Sequence, residues 1–549
     1  MNQMSRESGP DAQPARRIVR CALPGMLLAA LCLLPFLNKA FTIDDPYFLH
    51  MAQQTLVTPR TPTSAVVCWE NVAYKRSLRS IGPNGPLMGY LLLPVVLSGG
   101  REWVGHVLIL AMFLGAVIAT VALAFRCGAA PREATLAGLI FASTPVVLGM
   151  AGTVMPDIPA TALAVFGMER LLAWKEERKL HQALLAGVAL GIAPLARMHT
   201  IFLLPIAAFL LADGNLWPPS WRRFRELGLA RWLPVLLAAF SFVFLTWLTF
   251  DRAPYAVFPT APNADQLALG NIWQNLPNFG ADWMLTTAFG IAWLMLDGAF
   301  GIWTLVTMVG AGEIARFALD YPPATLLSIA LAGVLALASA LVESWRSRKR
   351  VRLGLALWLF VPLPILPYTH FPPKYFAVCA PAAAILLAWK LGRLSNSTLA
   401  ITSALTIGAG TVLGLAIVKA DADFAGSARQ VVAEEIAPHI RAGGQAWYFG
   451  QWALNWYAEK AGANCLTNDP PYPSPGDLLI ADKIDGSAHF ITSIGAFKGR
   501  LVRVLSPGGP GGRVYSWEAR AGFYSNRPGY WPWKWSSEPL NTYYVWVLE

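Results

Sequence analysis

The sequence predicts an all-α integral membrane protein of about eleven to thirteen transmembrane helices, with a small α/β domain outside the bilayer at its C-terminal end. Three observations predict it. The 549 residues are 55% hydrophobic and only 14% charged, where soluble domains carry about a quarter charged residues. Apolar runs recur from residue 21 to residue 418, separated by short basic loops. After about residue 420 the composition changes to alternating strand-like and helix-like segments broken by Gly and Pro.

The N-terminal stretch RESGPDAQPARRIVRCALPGMLLAALCLLPFL has the basic flank and apolar run of a signal peptide but no small-residue cleavage site, so it reads as an uncleaved first span. Further runs lie at 103–125, 133–151, 157–174, 181–196, 199–213, 232–250, 323–343, 351–369, 375–391 and 397–418. The loops RRIVR, RCGAAPRE, WKEERKLHQ, WRRFRELGLAR and WRSRKRVR fall on one side when each run crosses once, and the positive-inside rule makes that side the cytoplasm. Two stretches need a special path to keep this agreement. Residues 282–310, with Asp297 in their middle, either form an interfacial or re-entrant element or cross twice as a hairpin. Residues 181–213 must turn near Pro194, Arg197 and His199.

This topology gives a cytoplasmic tail at 1–20, a membrane domain at 21–419 with a large outer loop at 39–102, and an extracytoplasmic domain at 420–549. In the last, SARQVVAEEIAPHI reads as helix, AWYFGQWALNWYAEKAGA as strand, turn and helix, and DLLIADKI, RLVRVLS and RVYSWEA as strands. The Trp- and Tyr-rich ending suits either a membrane interface or a packed aromatic edge. The net charge of +11 sits in the loops and sets orientation, so no nucleic-acid partner is expected. Cys21, Cys32, Cys127 and Cys379 lie in or beside apolar runs as packing residues. Cys68 and Cys465 both fall outside the membrane, where they can pair in an oxidising compartment.

The residues able to do chemistry gather at the outer ends of the spans. NKAFTIDDPYFLHMAQ (38–53) places Asp44 and Asp45 where the first span leaves the bilayer. Two adjacent carboxylates can share a proton or a metal and raise one another's basicity, which suits a general base. The structural alternative is a helix start, with Asp45 as N-cap and Pro46 at the first helical position. Asp157, in GTVMPDIPATAL, is a second acid on the same face and can also cap a helix. Arg197 and His199 in GIAPLARMHTIFLLP, Lys374 and His370 in THFPPKYFAVCAP, and Lys75, Arg76 and Arg79 in the first loop are cations on the wrong side for orientation. They ask for an anionic partner, and phosphate fits. A lipid-headgroup contact is the alternative for each. His199 and His370 can join Asp157 around a divalent metal.

Read together, these segments resemble the GT-C glycosyltransferases, including the protein O-mannosyltransferases and the lipid A aminoarabinose transferase. TIDDPYFLHMAQ resembles their first acidic motif, NGPLMGYLL the segment entering their second span, and MPDIPATALAVFGMERLLAW their second acidic motif. GIAPLARMHTIFLLP and PKYFAVCAPAAAIL resemble two later motifs, and AWYFGQWALNWYAEKAG the start of their outer domain. The resemblance implies an inverting enzyme that takes a sugar from a polyprenyl-phosphate carrier at the outer face of the bacterial cytoplasmic membrane and gives it to a lipid, glycan or protein. It makes Asp44 the base, Asp45 the accompanying acid and Asp157 the second acid, often tied to a divalent metal ion. Arg197 and Lys374 fall where the family's cations meet the carrier phosphate. Asp45 stands where Glu is frequent, Arg197 where Lys is usual and Lys374 where Arg is usual. Asn84 replaces a frequent basic or polar-aromatic residue, and Lys75 or Arg76 can serve the phosphate in its place. A transporter or flippase for a lipid-linked or anionic substrate is the alternative. It would carry its ionisable residues at the bilayer midplane.

Overall fold

The computed structural model describes residues 12–69, 74–82, 84–212, 235, 238–239, 267–287, 289–319, 323–483 and 498–549. The expected span 232–250 and the basic loop WRRFRELGLAR lie outside these residues, apart from isolated positions of the span.

The chain enters through α1 (Ala12–Leu33) and turns at residues 38–44 into α2 (Asp45–Val57). A long apolar helix follows, α3 (Glu102–Arg126). The run 133–151 is not one straight helix but α4 (Pro131–Ser143) and α5 (Pro145–Ala151), bent by 59°. Pro145 explains the break, because the residue before a proline is pushed out of the helical region, and Thr144 is extended at φ −63°, ψ 123°. α6 (Asp157–Glu177) is followed by α7 (Leu180–Ala196). As the loop charges require, the chain breaks at Arg197, which is extended, and resumes through a 3-10 turn, Met198–Phe202, into α8 (Leu203–Leu211).

Residues 282–310 take a helical path with sharp corners. α9 (Leu269–Leu285) and α10 (Phe289–Leu296) are bent by 67°, and a turn at Gly298 leads into α11 (Ala299–Leu319). Gly298 has φ +72°, a conformation that glycine adopts without penalty. α12 (Pro323–Arg346) is a full-length apolar helix. The run 351–369 departs from expectation: α13 (Arg350–Trp358) stops early and continues as turns, because Pro362, Pro364 and Pro367 cannot donate helical hydrogen bonds. A 3-10 segment, Pro373–Cys379, then leads into α14 (Ala380–Leu391), which is covered by protein along its whole length. α15 (Asn396–Val431) closes the helical part. Among the described residues, five helices are long and apolar enough to cross a membrane, or up to seven if each bent pair counts as one.

Beyond α15 lies a five-stranded sheet. Its strands are β1 (Ala446–Phe449), β2 (Asn464–Cys465), β3 (Leu478–Asp482), β4 (Gly499–Leu505) and β5 (Tyr543–Leu548), in the order β2-β1-β3-β5-β4. β1 runs parallel to β2 and β3, and β5 runs antiparallel to β3 and β4. α16 (Ala453–Lys460) follows β1. RVYSWEA does not form one strand: Arg513 ends the strand Gly511–Arg513, and Tyr515–Ser516 is a separate two-residue strand. The ending is mixed: Tyr543 and Trp546 are buried in the sheet, whereas Trp535 is exposed.

The sheet is pinned to the helices by specific bonds. Tyr457 Oη accepts from the Phe41 N–H at 3.0 Å. Asn526 Oδ1 accepts from the Phe371 N–H at 2.9 Å. The Tyr543 and Ser427 hydroxyls are 2.9 Å apart. Cys68 and Cys465 form a disulfide across 397 residues, with Cα atoms 6.5 Å apart. Cys21, Cys32, Cys127 and Cys379 are free.

The helical part has two chemically distinct ends. At one, Arg126 pairs with Glu169, Glu176 and Glu177. Lys390 there pairs with Asp297 and Glu343, and Arg393 pairs with Glu343. α6 runs from this end to the other, where its first residue is Asp157. Its 21 residues span about 30 Å. The basic loops in this region and the sequence-nominated acids therefore stand far apart.

Candidate functional site

The acidic doublet occupies a tight turn. Ile43 has φ +39°, a left-handed conformation that is an outlier for a β-branched residue and persists only where the surroundings hold it. They do so through the next acid. Asp45 accepts from the Thr42 N–H at 2.9 Å and from the Val154 N–H at 3.0 Å. Its own N–H donates to the Thr42 carbonyl at 2.8 Å. Asp45 is fully buried.

Asp45 therefore does not cap α2 as expected. The helix begins at Asp45 itself, Asp44 holds the cap position without a side-chain cap bond, and the Asp45 carboxylate folds back onto the turn. Nor do the two acids act on a common partner, since adjacent residues at a helix start point in different directions. Asp45 belongs to a buried cluster that the sequence did not announce. Lys39 pairs with Asp421 of α15 at 2.7 Å, and the Thr42 hydroxyl donates to Asp421 at 2.9 Å. Burial pushes the Asp45 carboxyl up to about 7, with Lys39 opposing and Asp421 adding to the rise.

Asp44 faces the other way. Lys374 Nζ donates to Asp44 Oδ2 at 2.9 Å. The Lys374 side chain is 5% exposed and that of Asp44 is 29% exposed, so the acid keeps an opening that the cation lacks. Burial alone would raise the Asp44 carboxyl. Lys374 and Arg197 outweigh it and hold the group below the usual carboxylate range.

Asp157 is gripped by Arg197 through two parallel bonds, Nε to Oδ1 at 3.0 Å and Nη2 to Oδ2 at 2.7 Å. Such a fork fixes geometry as well as charge. The third guanidinium nitrogen, Nη1, donates to Asn84 Oδ1 at 3.2 Å. The guanidinium also lies 5.9 Å from the centre of the Tyr375 ring. Tyr375 meets His199 edge-on at 5.4 Å. Asn84 and Tyr375 are thus contacts of the Arg197 guanidinium. An uncharged Asn84 is easily discounted as a phosphate ligand, yet a guanidinium with spare donors needs an acceptor.

The remaining nominees divide. His370 lies beside Lys374 and Asp44, with its ring 4.8 Å from that of Tyr368. Burial, helped by Lys374 and Arg527, pushes it down to about 3 and keeps it neutral. Lys75 is exposed, and Arg76 donates to the Ser80 carbonyl at 2.9 Å, within its own loop. It is Arg197 that reaches Asn84, where the help of Lys75 or Arg76 was expected. The described residues assemble no set of metal ligands. Arg197 occupies both oxygens of Asp157, and Lys374 holds Asp44. Asp157, His199 and His370 form no ligand cluster, and no group of three or more His, Cys, Asp or Glu side chains comes together among the described residues.

A helical scaffold with a tail sheet, and with acid–cation pairs gathered at one end, invites comparison with known folds. ArnT from Cupriavidus metallidurans in the apo state superposes at a TM-score of 0.52, with 11% identity over 88% of this chain and 96% of that one. The fold is that of the GT-C glycosyltransferases. The apo oligosaccharyltransferase of Archaeoglobus fulgidus is also similar, 12% identical over 89% of this chain and 73% of its own, at a TM-score of 0.49. Arabinofuranosyltransferase AftD from Mycobacteria is 14% identical over 96% of this chain and 40% of its own, at 0.42. Within the GT-C fold, residues 104–256 match the family described as dolichyl-phosphate-mannose-protein mannosyltransferase. That match includes Asp157, Arg197 and His199 but neither Asp44 nor Lys374. No curated protein matches the chain by sequence.

Proposed function

We propose that this chain is an inverting glycosyltransferase that moves a sugar from a polyprenyl-phosphate carrier to an acceptor at the outer face of the cytoplasmic membrane. The observation that carries it is the meeting of Asp44–Lys374 and Asp157–Arg197 at one end of the helical part, with Arg197 and Lys374 both acting on the Asp44 carboxylate. The family matched by residues 104–256 is described by a sugar linked to a lipid phosphate.

Each group has a task in such a transfer. The carrier phosphate enters at the opening beside Asp44 and takes up Lys374, with the Arg197 guanidinium behind it, and this frees the Asp44 carboxylate. Asp44 accepts the proton of the acceptor hydroxyl as that oxygen bonds to the anomeric carbon. The bond from that carbon to the phosphate oxygen breaks on the opposite side, and the electron pair leaves with the carrier phosphate. The two cations stabilise the charge that develops there. Asp157 keeps the Arg197 fork aimed, and Asp45 keeps the turn that presents Asp44.

Mass spectrometry of envelope lipids and glycans tests the reading. A deletion strain is expected to lose one glycosyl increment, restored by the wild-type chain and not by Asp44→Asn. An unchanged envelope profile would sink it. The pH dependence of kcat/KM, which reports groups of the free enzyme, assigns the base. Because Asp44 is held below the usual carboxylate range, activity should stay level as pH falls through that range and decline only below it. A decline centred near 7 would instead point to Asp45.

A further inference from the structure

Well away from the Asp44–Lys374 pair, a cavity of about 360 Å³ opens between α2, the turn before α3, and α16. Its walls include Gln53, Gly99, Gly100, Trp456, Glu459 and Lys460. The turn is built to admit it. Gly99 and Gly100 have φ +77° and +71°, and a side chain at Gly100 would strike the Trp456 ring at 2.8 Å.

The lining sets one aromatic ring, Trp456, and Val96 beside polar side chains and two glycines. Trp456 is 5% exposed, packs edge-on against Phe41 and His50, and has an indole N–H with no acceptor among the described residues. Glu459 accepts from the Tyr448 hydroxyl and Lys460 donates to the Gly100 carbonyl, so each is held in place with bonding capacity to spare. Gln53 is fixed through His50 to Asn455, which also bonds to the Cys68 carbonyl. One acid and one base make the lining close to neutral overall. The edge of one indole beside fixed hydrogen-bonding groups of no net charge suits a neutral polyhydroxylated ring better than a phosphate. The volume is at the small end for a ligand site.

We propose that this cavity is a carbohydrate subsite that holds a neutral sugar ring of the acceptor. The acceptor assignment rests on the transferase reading above. The ring cannot be the donor sugar, because Gln53 lies eight residues along α2 from Asp45, a rise of about 12 Å. The anomeric carbon must instead sit beside Asp44. The acceptor thus reaches from the cavity to the reacting hydroxyl, and the cavity selects acceptors with a second sugar at that separation. Phe41, against which Trp456 packs, precedes Asp44 by three residues, so the cavity wall and the acidic turn are one continuous piece.

Saturation-transfer NMR on the detergent-solubilised full chain, with methyl glycosides of mannose, glucose and galactose as probes, tests the site. Gln53 is exposed, so Gln53→Trp fills the cavity without disturbing the core. The expected result is transfer to at least one glycoside in the wild type, lost in Gln53→Trp, with undecaprenyl phosphate binding unchanged in the variant. Absence of transfer in the wild type, or its persistence in Gln53→Trp, would overturn the site. If preloading with a polyprenyl-phosphate mannose abolishes transfer, the ring belongs to the donor and the acceptor assignment falls. If the wild type fails to bind undecaprenyl phosphate while Gln53→Trp still loses the glycoside, the sugar site stands and the transferase reading alone falls.

Discussion

Asp44→Asn is expected to lower sugar transfer by about 10²–10⁴-fold, the span of a lost general base. The carboxamide keeps the shape and can still accept a bond from Lys374, but it cannot take a proton. The variant also leaves a buried ammonium without its counter-charge. Removing one partner of a fully buried pair costs about 3–5 kcal/mol. The partial exposure of Asp44 makes the cost here smaller. Thermal stability should therefore fall modestly while the protein stays folded. Undecaprenyl phosphate should bind the variant at least as well as the wild type, because Lys374 no longer has to exchange a carboxylate for the phosphate. Full transfer activity in a folded Asp44→Asn protein would remove Asp44 from the reaction.

Arg197→Met should produce the largest loss of stability. Its side chain is 9% exposed and that of Asp157 is 2% exposed, so the substitution strands a carboxylate in the interior at a cost of about 3–5 kcal/mol. The double variant Arg197→Met/Asp157→Leu removes both charges and should recover most of that loss, since apolar replacement of a buried pair is often close to neutral. Melting curves in detergent measure both. Carrier affinity gives the second readout: it should stay low in the double variant, because the cation is still missing. Recovery of carrier binding together with stability would show that Arg197 serves the fold alone. Arg197→Lys is not a conservative change here, as an ammonium cannot reproduce the two-bond grip on Asp157 or the reach to Asn84.

The convergence of Asp44 and Lys374, 330 residues apart, was legible in the sequence because charge is costly in a bilayer and so marks where a chain leaves it. The same logic found the break at Arg197 and marked 282–310 as a stretch that does not cross once, each from the sign of a neighbouring loop. What escaped was direction. Nothing in the letters Asp-Asp says that the second acid turns inward to Lys39 and Asp421 while the first turns to Lys374. That division depends on the left-handed Ile43 and on the Val154 N–H, more than a hundred residues away. Asp421 was hidden for a related reason: in KADADF it looks like one of several solvated charges after the last span, and only packing distinguishes the member that is 1% exposed. Run lengths misled where prolines cut helices short, at Thr144–Pro145 and after Trp358. The docking of the sheet was invisible as well, because it depends on single groups such as Tyr457 and Asn526 that carry no periodic signal.

The Thr42–Asp421 bond joins residues 379 positions apart, and this sets an order of events during biosynthesis. The segment bearing Asp44 is made early, but the anchor that holds its bend is made only when the final long helix emerges from the ribosome. A chain stalled or clipped before that helix would expose its acid on an unanchored loop. The turn that presents Asp44 therefore takes its final shape only once α15 has been made.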